Sequence, residues 1–243
     1  MPPEPNCERC RKPKPLCVCD RIPALAVRTE VLILQHPQES HELLATAHLT
    51  ELSLDRARVQ VGLSWASLEH ALGHRAELKN WGVLYMGSFK KPLTEAQKAK
   101  PLLLLDRHGE ERTLSPGLSG IVVLDGSWSQ AKTLWWRNPW MLKLNRVLLH
   151  PSEPSVYGRL RKEPRRECLS TLEAVAETLV GLGEDPAIRT DLKRLLRTLV
   201  QRVRSQQDVN KPSASSKHGS RKPKAPQKGR RKQGSSRGGG PLD

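Results

Sequence analysis

The chain has 243 residues, with 41 Lys and Arg against 25 Asp and Glu, a formal net charge of +16 and a sequence pI near 10.1, an excess that calls for a polyanionic partner. No apolar run approaches the roughly 18 residues that span a bilayer, and the start of the chain lacks the apolar stretch of a secretory signal, so no membrane partner and a cytoplasmic location are expected. A GxGxxG fingerprint, a Walker A loop and an HExxH helix are missing, which sets aside the common dinucleotide, NTPase and zinc-protease classes.

The first feature in chain order is a cysteine cluster, Cys7, Cys10, Cys17 and Cys19, spaced C-x2-C-x6-C-x-C. Disulfides are one reading. In a reducing compartment, four close thiols more often hold a tetrahedral zinc ion as thiolates, so a structural zinc is expected. The fifth cysteine, Cys168, stands apart and reads as a small packed residue.

Short runs rich in Val, Ile and Leu follow at residues 31–35, 81–86, 102–105, 121–124 and 146–149, the pattern of strands buried on both faces. Helical patterns lie between and after them. Residues 41–52 place Leu43, Leu44, Ala47, His48 and Leu52 along one side; 127–136 opens with Ser127 and Gln130 in capping-box spacing, and Ser170 with Glu173 repeats that box. A stripe of Leu172, Val175, Ala176, Leu179 and Val180 follows the second box, and Asp185-Pro186 opens a last helix with Ile188, Leu192, Leu195, Leu199 and Val203 on one face. Strand alternating with helix predicts an α/β domain around a mainly parallel sheet.

Open α/β sheets bind ligands beyond the carboxyl ends of their strands. The segments there are polar and turn-forming: Gln35-His36-Pro37-Gln38-Glu39, Tyr85-Met86-Gly87-Ser88, Asp125-Gly126-Ser127-Trp128 and His150-Pro151-Ser152-Glu153. Together they are expected to line one pocket, with simple turn formation as the alternative for each. Residues 211–243 hold ten basic side chains and one acid, a local charge of +9 that leaves +7 for the rest. With almost no apolar residues, this segment is expected to be disordered.

The order Cys7-Glu8-Arg9-Cys10, Cys17-Val18-Cys19, Gln35-His36-Pro37 with Glu39, Leu124-Asp125-Gly126-Ser127-Trp128, Ser155-Val156-Tyr157 with Arg161, and Cys168-Leu169-Ser170-Thr171 resembles the DTW-domain family of tRNA-uridine aminocarboxypropyltransferases over about residues 5–203. Ser127 stands where the family signature has Thr, and Ala45-Thr46-Ala47 where Asn-Thr-Gly is common. The resemblance implies transfer of the 3-amino-3-carboxypropyl group of S-adenosylmethionine to N3 of a variable-loop uridine in tRNA, releasing methylthioadenosine. It also implies a SPOUT-like fold with a C-terminal knot, divided into a cysteine-rich zinc motif (1–22), a catalytic domain (23–205) and a basic tail (206–243).

The same resemblance places Asp125, Ser127 and Trp128 in catalysis, and Tyr85, Gly87, Leu124, Gly126, Tyr157, Ser170 and Thr171 around the cofactor. His36, Glu39, Thr46, Arg159, Arg161 and Lys162 are then expected on the RNA. Uridine N3 carries a proton that leaves as the N–C bond forms, which makes Asp125 the candidate general base; binding the amides of its own turn is the alternative. Ser127 caps a helix whose free amide end suits an anion, and Trp128 offers a stacking face. Four of the six tryptophans fall at 128–140, so some of them must be core. Arg165, Arg166, Arg189, Lys193, Arg194, Arg197, Arg202 and Arg204 extend the expected basic surface. Two other readings remain open, a non-catalytic zinc-containing RNA-binding protein and transfer to ribosomal RNA.

Overall fold

A computed structural model of the chain describes residues 5–84, 92–114, 117–151, 153–158 and 169–209. They belong to one compact unit. Strands β1 (Glu30–Gln35), β2 (Ala57–Val61), β3 (Trp81–Leu84), β4 (Leu102–Leu105), β5 (Gly120–Asp125) and β6 (Asn145–Leu149) form a single sheet in the order β2-β1-β5-β3-β6-β4. The first five strands in that order are parallel, and β4 closes the edge antiparallel to β6. The strand β2 has no counterpart among the apolar runs. Its residues Ala-Arg-Val-Gln-Val lie at the sheet edge, half-buried or exposed, so burial does not select a hydrophobic run there.

The central strands are buried on both faces with period two. Val31, Ile33, Ile121 and Val123 face helices α5 (Thr171–Gly181) and α6 (Ala187–Val209) together with Cys10, Leu16 and Val18. Leu32, Leu34 and Val122 face Leu68 and Leu72 of α2 (Leu68–Leu72), Trp81 and Trp140. The cysteine segment is therefore part of the main core. The stripe Ile188, Leu192, Leu195, Leu199 and Val203 is buried as the periodicity predicts, and α6 runs past the expected 205 boundary to Val209. The remaining helices are α1 (Ala47–Ser53), α3 (Glu95–Lys98) and α4 (Trp128–Arg137).

The helix expected at 41–52 begins only at Ala47, after a 3-10 turn at Glu39–His41. The carbonyls of Leu43 and Ala45 accept hydrogen bonds from Lys12 Nζ at 2.8 and 2.6 Å, and the Leu44 carbonyl accepts from the Tyr157 hydroxyl. Acceptors that an earlier helix start would use are thus turned toward other elements, and Leu43 is left 41% exposed.

Candidate active site

The β1–β5 register places Gln35 opposite Asp125 at the carboxyl ends of two central strands. Asp125 is buried, 3% exposed. Gln35 Nε2 donates to its Oδ2 at 2.7 Å, and the Thr171 hydroxyl, at the first residue of α5, donates to its Oδ1. Gln35 and Thr171 are thus side chains of neighbouring elements, which favours a site residue over one that merely binds its own turn. An ionised carboxylate offers about four acceptor positions, so two donors fix its orientation and leave capacity for a further proton donor.

Gly126 follows at φ +156°, where a Cβ would lie 2.9 Å from the Gln130 Cβ and 3.4 Å from the His36 Cβ. The tight approach lets the Ser127 N–H donate to Gln130 Oε1 at 2.6 Å as α4 begins, and Gln130 Nε2 donates to Gln38 at 3.2 Å. His36 is joined to the same strand end by its N–H, which donates to the Asp125 carbonyl at 2.9 Å. Leu124 is half-buried, while Ser127 and Trp128 are exposed beside the buried carboxylate.

Two functional candidates have no counterpart in the sequence expectations. Lys12, 6% exposed, enters from the cysteine segment, and burial holds its ammonium down to about 8 against the attraction of Cys10, Asp125 and Glu39. Its only sequence signal is its place two residues after Cys10, in a turn closed by the Arg11 N–H to the Cys7 carbonyl (2.8 Å) and the Cys7 N–H to the Lys12 carbonyl (2.7 Å). The second is Glu173, expected only as a cap. It accepts from the Ser170 N–H (2.9 Å) and hydroxyl (2.8 Å), but also from the Ser155 hydroxyl (2.7 Å) and the Val156 N–H (2.8 Å). This carboxylate pins the Tyr157 loop to the start of α5, with Tyr157 itself buried.

The four thiols of Cys7, Cys10, Cys17 and Cys19 lie within 4.8 Å of one another, with Cys7–Cys19 at 3.6 Å and Cys10–Cys17 at 3.7 Å. These are free cysteines, not disulfides. A tetrahedral zinc with Zn–S near 2.3 Å sets its sulfurs about 3.8 Å apart, so the donor set fits such an ion. Hydrogen bonds from the Cys10 backbone, from Cys17, from the Arg9 backbone and from Cys19 pull the Cys7 thiol down to about 6, whereas burial and then the neighbouring thiols push Cys19 up to about 12. One thiolate forms readily, and a further negative charge beside it calls for a cation.

The remaining expected residues divide three ways. Tyr85, Gly87, Arg159, Arg161, Lys162, Arg165, Arg166 and Cys168, and the chain from 210 onward, lie outside the described residues. Glu39 and Thr46, expected on the RNA, are 3% and 1% exposed. Thr46 instead accepts from the Leu172 N–H at 3.2 Å, joining α1 to α5. On α6, Arg189 pairs with Glu177 (3.1 Å), Lys193 with Glu177 (2.8 Å), Arg194 with Asp191 (2.6 Å) and Arg202 with Asp20 (3.0 Å). Arg189, Lys193 and Arg202 thus tie α6 to neighbouring segments. A groove of about 980 Å³ at the opposite edge, where β3 and β6 begin, is lined by Lys79, Asn145 and Arg112 among others. Its Arg112 is engaged by the Lys79 carbonyl (3.1 Å) and Asn145 Oδ1 (2.8 Å).

The DTW-domain model matches residues 4–204. The tRNA-uridine aminocarboxypropyltransferase 2 of Macaca fascicularis is 31% identical over 200 residues, covering 80% of this chain and 62% of the relative. The protein of that name from Drosophila melanogaster is 31% identical over 204 residues (80% and 73%), and tRNA-uridine aminocarboxypropyltransferase A of Arabidopsis thaliana is 29% identical over 229 residues (85% and 82%). The chain thus spans less than two thirds of the first of these relatives. No solved structure matches it. From the signature at Asp125 to the cysteine segment at its start, the chain belongs to the DTW-domain family.

Proposed function

We propose that the protein transfers the 3-amino-3-carboxypropyl group of S-adenosylmethionine to N3 of a uridine in tRNA. In this reaction the N3–C bond forms, the C–S bond breaks with its electron pair going to sulfur, and the N3 proton passes to a base. The observation that carries the reading is the buried Asp125 carboxylate, aimed by Gln35 and Thr171 at the end of β5. Bound S-adenosylmethionine supplies the sulfonium-activated carbon. Leu124, Gly126, Tyr157, Ser170 and Thr171 are the described residues proposed around it, and the amide end of α4, which Ser127 opens, suits its carboxylate. Asp125 takes the N3 proton, and Lys12 offsets the charge gathered by Asp125 and Glu39.

His36, Ser127 and Trp128 face the tRNA in this reading, with Arg159, Arg161, Lys162 and the basic tail supplying phosphate contacts. The insertion of β5 and β6 between earlier strands supports a SPOUT-like knot, and the four thiols support a structural zinc. Among the described residues no helix is long and apolar enough to cross a membrane, and we assign the activity to the cytoplasm.

Incubation with unmodified tRNA, ribosomal RNA and carboxyl-labelled S-adenosylmethionine tests the proposal, because that label travels only with the aminocarboxypropyl group. Label in tRNA is the expected result. Tight RNA binding without label supports the non-catalytic reading, and label confined to ribosomal RNA changes the acceptor.

A further inference from the structure

Helix α4 sorts the clustered tryptophans. Its inner side buries Ala131 and Leu134, and Trp135 packs against the core that holds Trp140. On the outer side Trp128 is 43% and Trp136 79% exposed, with exposed Lys132 one turn from each. Trp128, Lys132 and Trp136 stand at i, i+4 and i+8, a ridge that climbs away from the Asp125 strand end. The ten residues of α4 contain Lys132 and Arg137 and no acid.

From this arrangement we propose that the outer face of α4 is a stacking surface for unpaired nucleotides of an RNA, with Trp136 as a second platform beyond Trp128. The inference rests on the reading of RNA as substrate and extends it to a place on the surface. Eight helical residues separate the two indoles by about 12 Å along the axis. Bases stacked in a duplex strand are about 3.4 Å apart, so the two rings do not serve adjacent stacked bases. They fit bases splayed from a loop or junction, the form in which RNA presents base faces to aromatic side chains. Lys132 lies between the rings, where the connecting phosphate passes. This cation, and a chain carrying +16 overall, favour a nucleic acid over an apolar protein partner for the same indoles.

The test is equilibrium binding of unmodified tRNA to the full chain without S-adenosylmethionine, comparing wild type, Trp136→Ala, Trp136→Phe and Lys132→Ala. Trp136→Ala is expected to weaken tRNA binding about fivefold or more, the effect of losing one stacked base, while Trp136→Phe keeps most of the affinity and neither shifts the thermal midpoint. Lys132→Ala is expected to lower the salt slope by about one phosphate contact. Binding of Trp136→Ala within twofold of wild type overturns the proposal, as does a wild type that binds no RNA. A concentration-dependent dimer that Trp136→Ala abolishes also overturns it, by naming a second copy as occupant. A wild type that binds tRNA but transfers no label rejects the transferase reading alone, and the Trp136 comparison still decides the surface.

Discussion

Lys12 Nζ donates to the Ala45 carbonyl at 2.6 Å, across 33 residues of sequence. With its second bond to Leu43 (2.8 Å), this buried cation joins the cysteine segment to the loop that walls the Asp125 site. Replacing it by methionine keeps the length of the side chain, strands two carbonyls without their donor and removes the positive charge near Asp125 and Glu39. Lys12→Met is expected to lower stability by about 1.5–3 kcal/mol, the size of a charged hydrogen bond, and transfer by at least tenfold. Denaturant midpoints and the label assay check the two effects, and a variant equal to wild type in both contradicts the role.

Because Cys10, Leu16 and Val18 are buried in the main core, metal binding at the four thiols is expected to stabilise the whole domain. Protein purified without chelator should contain about one zinc per chain, the number one tetrahedral four-thiolate site holds. Cys10→Ser should lose it and melt at lower temperature. Zinc-free protein with an unaltered melting temperature contradicts this.

Glu184 joins the turn after α5 to the start of β1, accepting from the Arg28 N–H (3.0 Å), the Thr29 N–H (2.9 Å) and the Thr29 hydroxyl (2.9 Å). Burial pushes its carboxyl up, but the Thr29 amide and hydroxyl and the Arg28 amide and guanidinium outweigh burial and hold it below its ordinary 4.5. A carboxyl depressed in the folded state contributes stability that is complete above the unfolded pKa, near 4.5, and is lost as pH falls through the folded one. Wild type should therefore exceed Glu184→Gln in stability at pH 7, with the gap narrowing below pH 4.5. Urea melts across that range measure it, and a gap independent of pH speaks against the assignment.

Residues 211–243 carry +9 in 33 residues, a charge density suited to releasing counterions from RNA. Their removal should weaken tRNA binding and flatten its salt dependence while leaving turnover at low salt. Equal salt slopes with and without the segment reject this.

The sheet was legible where burial alone dictates residue type. Within the described residues all five apolar runs lie on strands, whereas the half-exposed edge strand β2 left no apolar signature. The carboxylate at Asp125 is reachable from the rule that open α/β sheets bind ligands at strand ends. Its partners are not, because Gln35 and Thr171 lie 90 and 46 residues away and meet it only through register and helix docking. The late start of α1 follows Lys12 and Tyr157 bonds, and the burial of Thr46 accompanies its bond from Leu172, all made across the fold. Local periodicity contains neither. The ion pairs of α6 are illegible in the sequence for the same reason, since Arg202 finds Asp20 from 182 residues away.

In the proposed reaction Asp125 takes the proton from uridine N3. Single-turnover transfer from labelled S-adenosylmethionine to tRNA by Asp125→Asn, with tRNA binding and thermal midpoint measured on the same protein, tests it most directly. Removing a general base costs about a hundredfold to ten-thousandfold, and a loss in that range with binding and folding retained is the predicted result. A folded variant that binds tRNA normally and loses less than about tenfold in rate contradicts the account, since general-base removal exceeds that, and leaves Asp125 a positioning residue.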